Sequence, residues 1–195
     1  MNNDLKGLII PDLFEHLAAD VQHKLDQKTK PVGSLGLMER IAKRLSLIQG
    51  TLEPQLAKPV MLTVASDHHI CEEGVSPCPV EITWQQCLNF MNGGGGIGLF
   101  CHEFGFDHYV VDAGVDYDFP PHARLIEAKV RKGTRNFLHE PAMTMEECLQ
   151  AIENGRSIVA GFHQQGSNVV GFGEMGIGNT SPASALLSVF GSLSP

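Results

Sequence analysis

Residues Gly171 to Ala185, GFGEMGIGNTSPASA, hold the densest set of groups in this chain able to meet an anion. The segment follows a predicted strand and leads into a predicted helix with Pro182 near its first turn. Glycines let backbone N–H groups approach a phosphate, and a helix start adds its dipole and unpaired amides. Gly176, Asn179, Thr180 and Ser181 carry the loop side of such a site. No Lys or Arg follows Arg156, so the positive potential there has to come from the backbone. Glu174 lies among the glycines, where a carboxylate beside a phosphate costs energy unless it has a partner or a task. It is the candidate catalytic residue, able to hold a ribose hydroxyl or take a proton. The alternative is a loop acid that faces solvent.

Gly171, Gly173 and Gly176 also satisfy G-x-G-x-x-G, the dinucleotide-binding pattern, in a strand-loop-helix setting. A dinucleotide-binding oxidoreductase is the competing reading. It is weakened because the ribose-binding acid expected about twenty residues later falls beyond Pro195. Gly93, Gly95 and Gly98 repeat the pattern after a helix instead of a strand, and read as a helix-helix turn. Asp67-His68-His69 at a predicted strand end invites a divalent metal and a phosphoesterase of the DHH type. That chemistry needs further clustered aspartates, and none is expected around the segment. Adjacent histidines on a strand end point to opposite faces, so one site histidine and one packing histidine is the simpler expectation.

These groups need a scaffold. Val60 to Ala65 (VMLTVA) is an apolar, partly β-branched run, as in a strand buried on both faces of a parallel sheet. A helix is predicted through about Met91, another from Ile97 to Phe104, and strands at His108 to Val111 and Asn168 to Val170. Thr144-Met145-Glu146-Glu147 is a capping box that opens a long helix, with Cys148, Ile152, Val159 and Phe162 expected on one face. Two helices precede the first strand, with stripes at Leu13, Leu17, Val21, Leu25 and at Met38, Ile41, Leu45, Ile48. The expected architecture is α/β, a parallel sheet flanked by helices in a Rossmann-like three-layer arrangement. Residues 1–50 form an N-terminal helical segment, and residues 51–195 an α/β nucleotide-binding domain.

Composition narrows the partners. A formal charge of -8 in 195 residues opposes nucleic-acid binding, which relies on releasing counterions from phosphates. The apolar stretch Leu8 to Ile10 is broken by Pro11 and Asp12, too short for a signal or a membrane span, so the chain is expected in the cytoplasm. Five cysteines without a C-x-x-C pair suggest neither a disulfide framework nor a zinc cage. Neither a metal nor another cofactor is expected.

Four segments occur in the order found in the nicotinate-nucleotide:dimethylbenzimidazole phosphoribosyltransferases, and the chain resembles that family from about Leu25 onward. They are KPVGSLG (Lys30 to Gly36), SDHHI (Ser66 to Ile70), EEGVSPCP (Glu72 to Pro79) and the glycine segment itself. The resemblance implies a homodimeric enzyme that moves ribose phosphate from nicotinate mononucleotide to a benzimidazole. It places Asp67, His68, Gly173, Met175, Gly176, Asn179 and Thr180 among the substrate-binding residues, with Glu174 beside them. The base pocket of the family includes a Ser and a Gln, which align with Cys78 and Gln86 through Pro79, Thr83 and Asn89. Cys78 keeps the size of serine and weakens its hydrogen bond; His69 departs too, where the family usually has Gly. The resemblance extends over the first half of family members, and their general-base glutamate belongs to the second. The chain therefore reads as truncated and inactive alone, and a non-catalytic nucleotide-binding fragment is the third reading.

Overall fold

A computed structural model describes residues 10–194, which divide into two compact units at Gln55/Leu56. In the first, a 3-10 turn at Glu15–Leu17 leads into α1 (Ala18–Asp26), and α2 (Leu37–Gln49) follows. Val21, Leu25 and Leu47 are buried together, with Leu13, Leu17, Ala18 and Ala42 packed around them. The α1 stripe is as expected, although Leu13 reaches it from outside the helix. The expected stripe on α2 is not the buried one: Met38, Ile41 and Ile48 are exposed, while Glu39, Ser46 and Leu47 are covered. Lys30 explains part of this rotation, because its ammonium meets the Glu39 carboxylate at 2.8 Å. The Leu35 N–H also donates to that carboxylate, at 3.0 Å. Buried carboxylates need such partners, and these bonds hold Glu39 below the usual carboxylate range. Gly50 ends α2 at φ 64°, a left-handed cap that glycine adopts without a Cβ penalty.

The second unit is a parallel four-stranded sheet in the order β3-β2-β1-β4, with β1 at Val60–Ser66, β2 at Asp107–Gly114, β3 at Leu125–Glu127 and β4 at Val170–Met175. Between β1 and β2 lie a 3-10 turn at His69–Glu73, α3 (Ile82–Met91) and α4 (Gly95–Phe104). The helix α5 (Met145–Gln164) links β3 to β4, and α6 (Thr180–Gly191) follows β4. One face of the sheet packs Ala65 and Val110 against Cys87, Met91, Trp84 and Leu88 of α3. The other packs Val60, Leu62 and Val111 against Ile158 and Phe162 of α5. The α/β sandwich expected from the sequence is present, with helices on both faces. Each fully buried aliphatic such as Leu62, 2% exposed, contributes about 1.5–3 kcal/mol.

The expected boundary at β4 is corrected. The strand begins at the residue where the sequence places its end, so Gly171, Gly173, Glu174 and Met175 are strand residues. Gly171 pairs with Met61, and a Cβ there would lie 2.6 Å from the Met61 methyl. The glycine thins the strand for a neighbouring side chain and does not open a loop. With its first two glycines inside a strand, the G-x-G-x-x-G match loses the tight turn the dinucleotide reading needs.

The capping box stands as read. Thr144 Oγ1 accepts the Glu147 N–H at 3.1 Å, and Glu147 Oε2 accepts the Thr144 N–H at 2.7 Å. Arg135 adds a two-pronged pair to the same carboxylate at 2.6 and 3.1 Å. Together they pull Glu147 down to about 2, with the Arg135 bond the larger cause. Because the folded group ionises more readily than the unfolded one, its contribution is complete above the ordinary carboxylate range and is lost as pH falls toward 2. A carboxylate-resolved NMR titration should find Glu147 the most acidic glutamate, returning toward its ordinary value in Arg135→Ala. A normal titration in the parent protein would remove the pairing. On α5 Phe162 meets the core as expected, but Ile158 joins it there in place of Ile152, which is 38% exposed.

Candidate functional site

Strands β1, β2 and β3 advance across the sheet in one direction, and β4 returns to the free side of β1. The C-terminal ends of β1 and β4 therefore flank the point where strand order reverses, the usual crevice for ligands in open α/β sheets. Ala65 pairs with Met175, which brings Ser66-Asp67-His68 level with the turn at residues 176–179.

Asp67 is fixed from three sides. Its N–H donates to the Gly114 carbonyl at 3.1 Å and its own carbonyl accepts the Thr134 N–H at 3.0 Å. Its Oδ2 accepts the Asp116 N–H at 2.7 Å. Oδ1 is buried without a hydrogen-bond partner among the described residues, an unspent acceptor at the crevice. His68 follows in extended backbone and bridges to Thr134. Burial holds its imidazole below the usual range, against the opposing charges of Asp67 and Glu174, so the ring is neutral at neutral pH. His69 opens the 3-10 turn, and its ring lies against Gly133. The two rings diverge because the strand has already ended at Ser66, not through strand alternation.

The turn after β4 is tied down by two groups to which the sequence assigned no role there. Ile177 donates its N–H to Thr83 Oγ1 of α3 at 3.1 Å, and its carbonyl accepts the Cys71 thiol at 3.1 Å. Asn179 and Ser181 donate their N–H groups to the Gly176 and Gly178 carbonyls, both at 3.1 Å, and Pro182 has none. The N–H groups of Gly178 and Thr180 have no partner among the described residues. Two unspent amides at the start of a twelve-residue helix make a small anion cradle.

Glu174 is exposed on β4, and its Oε2 accepts from Asn179 Nδ2. The acid in the glycine segment thus has a partner, and it orients the residue before α6. Gly176 does not face open space: an added Cβ would lie 2.3 Å from the Ser66 carbonyl and 3.0 Å from the His68 ring. Met175 packs toward Ala65, Cys87 and Val115 in the α3-side core, and Gly173 sits across from Thr63 inside the sheet. Neither is in the turn. Cys78 and Gln86 do not share a helix, because α3 begins at Ile82. Cys78 is exposed in the preceding loop, and Gln86 accepts from Asn89 Nδ2 at 3.2 Å.

Four cations at Lys129, Arg131, Lys132 and Arg135 also stand at this end of the sheet, in a loop hydrogen-bonded to Asp67 and Gly114 through Thr134 and Gly133. Three are spent: Lys129 meets Asp112 at 2.9 Å, Lys132 meets Asp118 at 2.8 Å and Arg135 holds Glu147 at 2.6 Å, whereas Arg131 reaches Glu147 only at 3.8 Å and its buried Nη1 has no hydrogen-bond partner among the described residues. Asp116-Tyr117-Asp118 is a D-x-D after all, contrary to the expectation of no aspartate cluster. Lys132 pairs with both of its acids. Among the described residues no group of three His, Cys, Asp or Glu side chains could hold a metal ion.

The family model described as Phosphoribosyltransferase matches residues 10–195. The nicotinate-nucleotide–dimethylbenzimidazole phosphoribosyltransferase of Geobacter sp. (strain M21) is 51% identical over 181 residues, covering 93% of this chain and 52% of the relative. That of Dechloromonas aromatica (strain RCB) is 50% identical over 177 residues, covering 91% and 50%. The crystal structure of CobT from Thermus thermophilus superposes with a TM-score of 0.86 at 39% identity, covering 92% of this chain and 54% of that one. The chain spans about half the length of the curated relatives it matches.

Proposed function

We infer that this chain, which belongs to the phosphoribosyltransferase family, supplies the nucleotide-binding half of an enzyme that transfers ribose phosphate from nicotinate mononucleotide to dimethylbenzimidazole. The observation that carries the reading is the approach of the Ser66-Asp67-His68 end of β1 to Gly176 at the strand-order reversal, with two unspent amides at the start of α6. The relatives' names supply the substrates.

In this reaction a benzimidazole nitrogen attacks the ribose C1′. The new C–N bond forms as the bond from C1′ to the pyridinium nitrogen breaks, and that electron pair leaves on nicotinate. The departing ring needs no proton, whereas the attacking ring must lose one. Catalysis then rests on orienting two rings and removing one proton. The phosphate fits the Gly178 and Thr180 amides, with the Glu174 carboxylate engaged by Asn179 between them and the Asp67 carboxylate at the end of β1. Those carboxylates suit donors such as ribose hydroxyls. Asn179, oriented by Glu174, completes this wall, and Cys78 and Gln86 are assigned to the base pocket on the resemblance. On the same ground the enzyme is a homodimer, and the broken apolar stretch at Leu8 to Ile10 is the ground for placing it in the cytoplasm. No helix among the described residues is long and apolar enough to cross a membrane.

The resemblance puts the proton acceptor outside these residues, and its loss costs about 10²- to 10⁴-fold. The expected result is nicotinate mononucleotide binding by the 195-residue chain, seen by calorimetry, with no α-ribazole phosphate formed when dimethylbenzimidazole is added. Turnover like that of a complete relative would assign the base to this chain, with Glu174 and His68 the first to test. Absence of binding together with intact folding would remove the nucleotide site.

A further inference from the structure

At the opposite end of the sheet, where β2 begins, a cavity of 820 Å³ opens between α4 and the segment leading into β3. Met91, Leu99 and Phe106 give it an apolar wall, and Arg124, His102 and His122 stand on its rim. Arg124 is exposed, and it is the one Lys or Arg of the sheet unit whose side chain has no ion pair or hydrogen bond among the described residues. Every other cation of that unit has at least one acidic or carbonyl partner, Arg131 with one buried Nη left over, in a chain of net charge -8. A guanidinium with no partner at all among the described residues is therefore out of keeping with its surroundings. The carboxylate that also lines the cavity, Asp107, makes no ion pair with it.

The histidines sharpen the chemistry. His122 Nδ1 accepts the Arg124 N–H at 3.1 Å, so the neutral ring carries its proton on Nε2 and presents a donor. His108, 4% exposed, lines the same cavity. Its Nε2 pairs with Thr63 Oγ1 at 2.8 Å, while its buried Nδ1 has no partner among the described residues. An unsatisfied buried ring nitrogen is uncommon in a finished site. The cavity thus combines a planar fork of donors, a second donor on a ring and an apolar wall, within the range of about 300–1,000 Å³ usual for small ligands.

We propose that this cavity is a second small-molecule site, which takes an oxyanion carried on an apolar body, with Arg124 holding the anion and Met91, Leu99 and Phe106 covering the body. A guanidinium binds carboxylate and phosphate alike through two parallel bonds, so the probes must separate the two. The 195-residue chain is titrated with benzoate, phenyl phosphate and inorganic phosphate while the ring resonances of His102, His108 and His122 are followed by NMR. Saturable shifts with benzoate or phenyl phosphate are expected, with a Kd on the order of 1 mM or tighter. Arg124→Gln should weaken binding roughly tenfold or more. Far-UV circular dichroism checks its fold, and His102→Gln, on an exposed position of α4, serves as an independent rim variant. A response to benzoate alone names a carboxylate, and one to phenyl phosphate alone names a phosphate. Three results overturn the proposal: no saturable shift with any probe, equal affinity for bare inorganic phosphate, or unchanged binding in folded Arg124→Gln.

Discussion

Gly176→Ala is expected to destabilise the sheet unit by about 3 kcal/mol or more, the upper end of what overpacking costs, and to abolish nucleotide binding as a consequence. The added Cβ would sit 2.3 Å from the Ser66 carbonyl oxygen, with the His68 ring at 3.0 Å on the same side. A side chain can turn away from such a contact. The Ser66 carbonyl cannot, because β1 is locked between β2 and β4 and its next residue, Asp67, is held by Gly114, Thr134 and Asp116. Relief requires the ends of β1 and β4 to part, which undoes the crevice. A loss of this size lowers Tm by roughly 6–12 °C in a domain of this length. A loop glycine that merely clears space for a phosphate behaves otherwise: its alanine variant keeps its Tm and loses only the ligand. Thermal unfolding with calorimetry separates the cases, and a parent-like Tm would refute the close approach.

What the sequence made legible follows from how local each signal is. VMLTVA is β-branched and continuous, so β1 emerged within a residue of its observed end. The capping box needs only residues 144–147, and both of its bonds form. Membership of the family was legible too, because the four motifs are long and fall in order.

What failed depends on contacts between distant residues. Glycines at 171 and 173 look like a loop in sequence, and only the pairing with Met61 and Thr63 shows that they make room inside a sheet. The apolar stripe at Met38, Ile41 and Ile48 reads as a buried face, but periodicity cannot tell which of two faces a neighbour covers, and Glu39 is buried by virtue of Lys30. The base-pocket alignment of Cys78 and Gln86 says nothing of where α3 starts, and Cys78 falls in the loop before it. Four basic residues between Lys129 and Arg135 stand out as a cluster in an acidic chain. Their pairing with Asp112, Asp118 and Glu147 does not, since those acids come from other loops and elements. Cys71 falls between two motifs and Thr83 served only to align the base-pocket positions, yet they grip the two sides of the Ile177 peptide.

That grip supplies the contrast to Gly176. Gly178 has φ +81°, and a Cβ there would fall 2.3 Å from Cys71 Sγ. Gly178→Ala therefore meets two separate penalties. Left-handed backbone costs an alanine about 1–2 kcal/mol, and the sulfur must rotate away, giving up its bond to the Ile177 carbonyl. Unlike the Ser66 carbonyl, the sulfur is the end of a side chain and can be deleted. Cys71→Ala alone should cost little, because a thiol is a weak donor. In the Cys71→Ala background, Gly178→Ala should cost only the backbone term, so the double variant is more stable than the sum of the single changes predicts. Residues in contact couple by about 0.5–3 kcal/mol, and a value inside that range is expected from urea unfolding of the four proteins. Nucleotide affinity should follow the same order, falling in Gly178→Ala and partly recovering in the double variant, because in the proposed site the Gly178 and Thr180 amides would face the phosphate only while this turn keeps its shape. Strict additivity would mean that Cys71 and Gly178 do not touch. Full recovery of stability without any recovery of binding would separate the turn from the phosphate site and leave the two amides without a role.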